Sequence, residues 1–112
     1  MGRVLLAHQP ESHVRTLLKK HPPVKHTART TTDSGELFAI IARIRTDGFA
    51  IIDQEIEMGL RSIAVPLFDS RGNVVAALNT GVAAVHDDAS ELKALYVDKL
   101  LAVQQSIRPL LV

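Results

Sequence analysis

Apolar residues recur at helical spacing in three stretches of the first half of the chain. Residues 4–7 predict a short helix. A second helix begins near Pro10, which suits a first helical turn because the N–H it lacks has no partner there, and it ends at residues 21–23, His-Pro-Pro. A third begins at Asp33, which with Glu36 forms a capping box, and ends at Gly48. The apolar positions of the second and third helices are Val14, Leu17, Leu18, Leu37, Phe38, Ile40, Ile41 and Ile44.

The last quarter of the chain predicts a fourth, longer helix. Asp88 and Glu91 have the spacing of a second capping box, and Pro109 marks the end of the periodic pattern. The residues expected along one face are Leu92, Tyr96, Leu100, Val103, Ile107 and Leu110.

Between the third and fourth helices the pattern changes to that of strands. Residues 49–52 form a short apolar run bounded by Gly48 and Asp53, which is typical of a buried strand. Residues 60–68 and 74–82 are rich in β-forming residues and flank a turn cluster at 69–73, so they predict a hairpin at the centre of a sheet. Residues 27–32 are β-branched and polar, which suits a connector or an edge strand, and we expect a loop.

Side-chain alternation gives the two faces of this hairpin different characters. With Asp69 opposite Val74, one face is apolar throughout and should be covered by helices; it holds Ile63, Val65, Leu67, Ala76 and Leu78. The other face is small and faintly polar, and holds Ser62, Ala64, Pro66, Ala77, Asn79 and Gly81. Such a face either leaves a small-molecule pocket with a hydroxyl and an amide on its floor, or lets a helix approach closely while Ser62 and Asn79 bond to neighbouring backbone. The residues leave both interpretations open.

Length and composition limit the class of protein. The chain of 112 residues and 12.2 kDa has room for a single domain, and its 46% hydrophobic content is enough for a core. The absence of cysteine excludes disulfides, thiolate metal sites and a cysteine nucleophile. No run approaches the roughly 20 apolar residues of a membrane span, so we expect a cytoplasmic protein with no membrane partner.

Charge is distributed unevenly along the chain. Residues 1–32 hold six basic residues and one acidic residue, whereas residues 33–112 hold seven and eleven. Because the basic segment has no aromatic side chain to stack on a base, we interpret it as a solvated face rather than a nucleic-acid site.

The sequence gives little support to catalysis. His8, His13, His21 and His26 are spaced so that no two lie one helical turn apart, and there is no glycine-rich phosphate loop or Gly-x-Ser-x-Gly elbow. The acidic residues Asp53, Glu55 and Glu57 are interpreted as a solvated turn. We therefore expect no enzyme activity, no metal and no cofactor.

One long stretch resembles a known family. Residues 48–67, GFAIIDQEIEMGLRSIAVPL, followed by Asp69, Gly72 and VVAALN at 74–79, closely resemble the signature of the C-terminal effector-binding domain of IclR-type transcription regulators. Residues 1–7, the helix start at Pro10 and Glu11, and the threonines at 30–32 also fit the family, so the resemblance spans nearly the whole chain. Within the family it resembles the branch that contains PcaR, PcaU and PobR, regulators of aromatic-acid catabolism.

The resemblance implies a GAF-like α/β (α+β) domain with a central antiparallel sheet and helices packed on one face. It implies effector contacts at five positions: Ile52, Leu60, Ser62, Asn79 and Gly81. The last three also share the small-residue face deduced from alternation. Arg61, next to Ser62 in sequence, should point to the opposite face.

The expected function is that of a single sensing domain, residues 1–112, that resembles an N-terminally truncated fragment: it lacks the family's N-terminal winged helix-turn-helix and the first strands of the effector domain. Its partners would be a small carboxylate, such as an aromatic acid, and further copies of itself in a dimer or tetramer. DNA would be bound only through the helix-turn-helix that this chain lacks. The alternative is a roadblock- or profilin-like interaction module that binds no ligand and has the small-residue face filled.

Overall fold

The structure is a computed structural model that describes residues 1–84 and 91–111. Three helices precede the sheet: α1 (Gly2–Ala7), α2 (Glu11–Lys20) and α3 (Ser34–Asp47). The strands are β1 (Ala50–Asp53), β2 (Leu60–Phe68) and β3 (Val74–Ala83). A π-helical turn (Lys93–Val97) leads into α4 (Asp98–Ile107), and a 3₁₀ turn (Arg108–Leu110) follows.

The predicted ends of α3 are confirmed. The Asp33 carboxylate accepts a hydrogen bond from the Glu36 N–H at 2.7 Å. At the other end Gly48 adopts a left-handed conformation with φ of 83° and donates its N–H to the carbonyl of Ile44. The loop expected at 27–32 is also confirmed, whereas Asp88 of the second capping box lies outside the described residues.

The sheet is antiparallel with the order β1-β2-β3. The predicted hairpin is therefore present, but only its first strand is central and β3 lies at an edge of the described sheet. The expected pairing of Asp69 with Val74 is wrong, because a bulge between Leu67 and Phe68 shifts the register so that Phe68 pairs with Val74. From Leu60 to Leu67 the pairing follows the predicted register, so the assignment of faces holds along most of the hairpin.

The apolar face of the sheet packs against the helical structure that follows β3, namely the π-helical turn and α4. Ile63 and Val65 are fully buried, and Ile63 packs with Leu92 and Val97. The central strand also receives a polar contact, in which the Gln104 side-chain amide donates to the carbonyl of Pro66. Since β1 begins opposite Ala64, this carbonyl lies beyond the reach of a strand partner on that side, and Gln104 supplies the hydrogen bond instead.

The α+β class with a central antiparallel sheet is confirmed, but the expectation of helices on one face is too narrow. Ala50 and Ala64 belong to a separate core on the opposite face, with α1, α2 and α3. Their small side chains allow this close approach, and they remain only 2% and 1% exposed. The sheet is therefore the middle of three layers.

The stripe predicted for the last helix is partly wrong. Leu92 is buried as expected, but Val103 is 45% and Leu110 is 77% exposed, while Val97 and Gln104 are buried. The π-helical turn explains the difference, because its wider turn contains an extra residue and rotates the following helix relative to the predicted periodicity. No helix in the described ranges is both long enough and apolar enough to cross a membrane.

Candidate functional site

All five residues predicted to contact an effector lie on one face of the sheet. Ile52 pairs with Ser62, and Ser62 pairs with Gly81, so these three form a row across the strands. Asn79, opposite Ala64, lies on the same face two residues along β3. Leu60 completes the group, since a Cβ built on Gly81 would be 3.5 Å from its Cδ1 atom. The structure thus brings together residues that are up to 29 positions apart in sequence.

Helices cover only one half of this face. Around Ala50, Ala64 and Ala77 the surface is packed against the first three helices. Around Asn79 and Gly81 it is exposed, while Ile52 and Ser62 are half-buried and Leu60 is 37% exposed. The two sequence interpretations therefore apply to different halves: small residues admit a helix at one end and leave an open surface at the other.

The polar groups of the open half have no partner within the protein as described. Among residues 1–84 and 91–111, no group hydrogen-bonds with the Ser62 hydroxyl or the Asn79 carboxamide. The alternative interpretation, in which both side chains bond to neighbouring backbone, is therefore not supported in these ranges. A hydroxyl and a carboxamide together supply donors and acceptors suited to a carboxylate or a phenolic oxygen.

The turn between β1 and β2 borders this surface, and a largely buried ion pair holds the turn in place. Arg3 donates two hydrogen bonds of 2.7 Å to the carboxylate of Glu55, which also accepts the N–H of Thr31 at 2.8 Å. The Thr30 hydroxyl donates to the Glu55 carbonyl, and the Thr27 hydroxyl donates to the Gln54 carbonyl at 2.6 Å. These contacts tie α1 and the threonine loop to the turn that leads into Leu60.

The interpretation of the acidic residues as a solvated turn is wrong for Glu55. Glu55 is only 8% exposed, whereas Glu57 is exposed as expected. Burial by itself raises the pKa of Glu55, but the hydrogen bonds from Arg3 and Thr31 outweigh it and hold the pKa below its usual value. The excess of basic residues before position 33 and of acidic residues after it is the sequence signal for such ion pairs. Composition does not indicate which arginine pairs with which acid.

Asp53 is also paired rather than solvated. The carboxylate accepts from Arg61 Nε and from Arg29 Nη2, both at 2.8 Å. Burial raises its pKa, and the hydrogen bonds from Arg61 and Gln54 together with the two nearby arginines lower it by more. Because Asp53 pairs with Arg61 across the strands, both lie on the face opposite Ser62, which confirms the predicted direction of Arg61.

Two cavities lie away from these residues and were not predicted. One, of about 110 Å³, lies between α1, α2 and α3 and is lined by residues that include Leu6, Val14 and Arg45. A more open groove of about 370 Å³ lies between α2 and the start of α3, beside Arg15, Lys19 and Phe38. Neither touches the five predicted contacts. Within the described part of the chain, no cluster of three or more histidine and acidic side chains is arranged to hold a metal ion.

The sequence and the fold of this chain are similar to those of known proteins. Residues 1–108 match the family described as "Bacterial transcriptional regulator IclR C-terminal". The chain is 40% identical over 107 residues to the Pca regulon regulatory protein of Pseudomonas putida. That alignment covers 96% of this chain but 37% of the relative, so the chain spans a little over a third of the relative's length.

Two solved structures have the same fold. A transcriptional regulator of Rhodococcus sp. RHA1 superposes with a TM-score of 0.91 at 37% identity, over 96% of this chain and 44% of that one. The inducer-binding domain of the PobR transcription factor from Acinetobacter, a double mutant in complex with 3-hydroxybenzoic acid, superposes with a TM-score of 0.93 at 24% identity. The latter match covers 98% of this chain and 65% of that domain.

Proposed function

Because the chain belongs to the IclR family of bacterial transcriptional regulators, as the family's C-terminal domain, we propose that it binds a small carboxylate effector on the open half of the sheet. The membership confirms the family that residues 48–79 predict. The relatives are transcriptional regulators, and nothing in the comparisons favours the ligand-free interaction module.

The observation that carries this proposal is the pair of unpartnered polar side chains on an uncovered surface. The Ser62 hydroxyl and the Asn79 carboxamide lie on a face whose other members are small or apolar. Exposed polar groups are common, but here they share one face of the sheet with a glycine and two aliphatic side chains, Gly81, Ile52 and Leu60. This combination of a few directed polar groups and an apolar surround is typical of small-molecule sites.

The five residues fill three roles in the proposed complex. Ile52 and Leu60 supply apolar contacts to an aromatic ring, and Ser62 and Asn79 hydrogen-bond its carboxylate or hydroxyl groups. Gly81 leaves room for the ring to lie against the strand. Arg61 takes no part, since its guanidinium is on the other face with Asp53. The proposal therefore assigns the carboxylate to the neutral donors Ser62 and Asn79 rather than to an ion pair with Arg61.

For the complete regulator we propose a sensing role. Effector binding shifts the populations of assembled states, a dimer or a tetramer, and a helix-turn-helix outside this chain binds the operator. The domain itself catalyses no reaction in this scheme, and the regulator works in the cytoplasm, where its DNA lies. The PobR complex supports a hydroxylated aromatic acid as the chemical class of the effector.

Isothermal titration calorimetry of the 112-residue chain tests the proposal. The panel consists of protocatechuate, 4-hydroxybenzoate, 3-hydroxybenzoate and β-ketoadipate, with benzyl alcohol as a ring that lacks the carboxylate. We expect saturable heat with at least one acid and none with the alcohol. The absence of heat across this panel and a wider set of small carboxylates contradicts the proposal.

Adding one methyl group at Gly81 tests whether the ligand binds at this surface. Gly81→Ala adds a Cβ on the proposed surface, where the nearest atom of the protein is 3.5 Å away, so the fold accepts it while the ligand loses space. We expect about tenfold weaker binding or more, since overpacking by one methyl costs about 1–3 kcal/mol. Gly2→Ala is the matched control, because its added Cβ meets no atom within 4 Å and lies on α1. Equal affinity of the two variants would place the ligand elsewhere.

A further inference from the structure

Gln54 has an unusual backbone conformation in the turn between two of the proposed effector contacts. Its φ of 59° lies in the left-handed region, and within the described part of the chain it is the one residue other than glycine to do so. This conformation is costly for a residue with a side chain, so it persists only where the surroundings hold it in place. Gln54 follows Ile52 by two positions and precedes Leu60 by six. The strained residue therefore lies between two residues that the proposed function places at the ligand.

Both ends of the Gln54 side-chain amide are hydrogen-bonded. Its Oε1 accepts the N–H of Gly59 at 3.0 Å, and its Nε2 donates to the Asp53 carboxylate at 3.2 Å. Since a carboxylate accepts and an N–H donates, the two partners allow only one orientation of the amide. Asp53 is itself held by the Nε of Arg61, 2.8 Å away. The amide therefore spans the turn from the end of β1 to the residue before β2.

The backbone of Gln54 makes two further hydrogen bonds. Its N–H donates to the carbonyl of Leu60 at 2.9 Å, and its carbonyl accepts the Thr27 hydroxyl at 2.6 Å. Gly59, which the Gln54 side chain holds by its N–H, has its carbonyl bonded to the N–H of Ala84 at 2.8 Å. Through these bonds a single residue connects the end of β1, the start of β2 and the residue that follows β3.

Leu60 is the effector contact that depends most on this turn. It is the first residue of β2 and pairs with Ala83, the last residue of β3, so the sheet holds it from one end only. Ser62, in contrast, lies inside the strand and is paired with Ile52 on one side and with Gly81 on the other. Leu60 is also 37% exposed, so packing alone does not fix its position.

We propose that Gln54 is a positioning residue of the effector site, whose side-chain amide holds the turn in the conformation that places Leu60 beside Gly81. The inference rests on the proposed function, because it assigns a role at the same surface. Without the bond to Gly59 the strained turn relaxes, and only a fraction of the molecules present Leu60 to the ligand. The apparent dissociation constant rises by the inverse of that fraction. Gln54 acts through Leu60 and makes no contact with the ligand.

Calorimetry with each acid of the panel that binds the unaltered chain tests this role in two variants. Gln54→Met keeps the length of the side chain and removes both of its hydrogen bonds, whereas Gln54→Glu keeps an acceptor for the Gly59 N–H. We expect binding to be about three- to tenfold weaker in Gln54→Met, the effect of losing one hydrogen bond. Gln54→Glu should recover most of the affinity. Unchanged affinity in Gln54→Met overturns the proposal.

A double-mutant cycle with Leu60→Ala separates positioning from a general loss of structure. Leu60→Ala removes the side chain through which Gln54 acts, so adding Gln54→Met should lower the affinity no further. Ile52→Ala is the matched control, because the loss caused by Gln54→Met should persist in that background. The same loss in the Leu60→Ala background as in the unaltered chain contradicts the assignment.

NMR of the ligand-free chain tests the same role without an acid. Gln54→Met should shift the methyl resonances of Leu60 and reduce the protection of the Gly59 amide from hydrogen exchange, and Gln54→Glu should restore both. Unshifted Leu60 methyl resonances in Gln54→Met refute the positioning role. If Gln54→Met fails to fold, as judged by circular dichroism, Gln54→Asn takes its place, since asparagine is frequent in the left-handed region but is one methylene shorter.

The failure of this inference and the failure of the proposed function are distinguishable. A chain that binds no acid refutes the proposed function, and the ligand-free spectra then decide by themselves whether Gln54 positions Leu60. A chain that binds an acid equally well with and without Gln54→Met refutes the positioning role alone.

Discussion

Glu55 shows how much one side chain can contribute to the position of the candidate site. Its carboxylate joins α1, through Arg3, to the threonine loop and to the turn that precedes Leu60. The sequence pattern predicts a solvated turn for this residue, because acidic runs between strands are usually exposed. What it could not supply is the partner, since Arg3 is 52 residues away and only the folded chain brings the two together.

Acid should weaken this contact. The folded-state pKa of Glu55 is lowered, so its ion pair stabilises the fold fully above the usual pKa of 4.5, and the contribution is lost as the pH falls through the lowered value. Glu55→Gln should reduce the free energy of unfolding by about 1.5–3 kcal/mol at pH 7, the range for hydrogen bonds to charged groups. Urea titrations from pH 7 to pH 3 should show this difference shrinking with acidification. Glu57→Gln, at an exposed site, is the control, and a difference that stays constant with pH argues against the ion pair.

His8 should produce a second and separate pH effect. Burial, and to a smaller extent the charge of Arg45, lower its pKa from the usual 6.5. Its Nε2 is buried and has no hydrogen-bond partner among the described residues. The unfolded chain then takes up a proton at a higher pH than the folded one, so stability should fall as the pH drops below about 6.5. His8→Leu should remove this slope in urea titrations between pH 7 and pH 5, and the same change at the exposed His13 should leave it in place.

At the scale of elements, the sequence predicts a helix or strand well where the residues that determine its ends lie within a few positions of those ends. The ends of α3 depend on Asp33 and Gly48, and both act as expected. The last helix depends on more than its own periodicity, since the π-helical turn at Lys93–Val97 shifts which side faces the sheet. The hairpin turn was predicted only in part. Asp69 closes the turn as its local sequence indicates, by accepting from the N–H groups of Arg71 and Asn73, but the adjacent bulge was not predicted.

The cap of α3 is directly testable. Asp33→Ala removes the acceptor for the Glu36 N–H and should lower the free energy of unfolding by about 1 kcal/mol, measured by urea denaturation. Asp33→Ser retains a capping oxygen and should recover most of the loss. If Ser and Ala destabilise the chain equally, the hydrogen bond is not the cause.

At the scale of the whole molecule, the packing of helices on the sheet determines which part of the sheet stays exposed. The sequence predicted the two unequal faces of the hairpin, and their composition was correct. It did not predict that α1, α2 and α3 would cover the alanines of the small-residue face and leave Asn79 and Gly81 exposed. That division depends on where α1 and α3 come to lie across the sheet, which is set by packing between distant segments rather than by any local pattern.

The most direct test of the effector site is NMR shift mapping of backbone amides during titration with 3-hydroxybenzoate and protocatechuate. The account predicts that the largest shifts fall on Ile52, Leu60, Ser62, Asn79 and Gly81, with smaller changes in the covered half of the sheet. Largest shifts at Arg15, Lys19 and Phe38, which line the groove between α2 and α3, would contradict it.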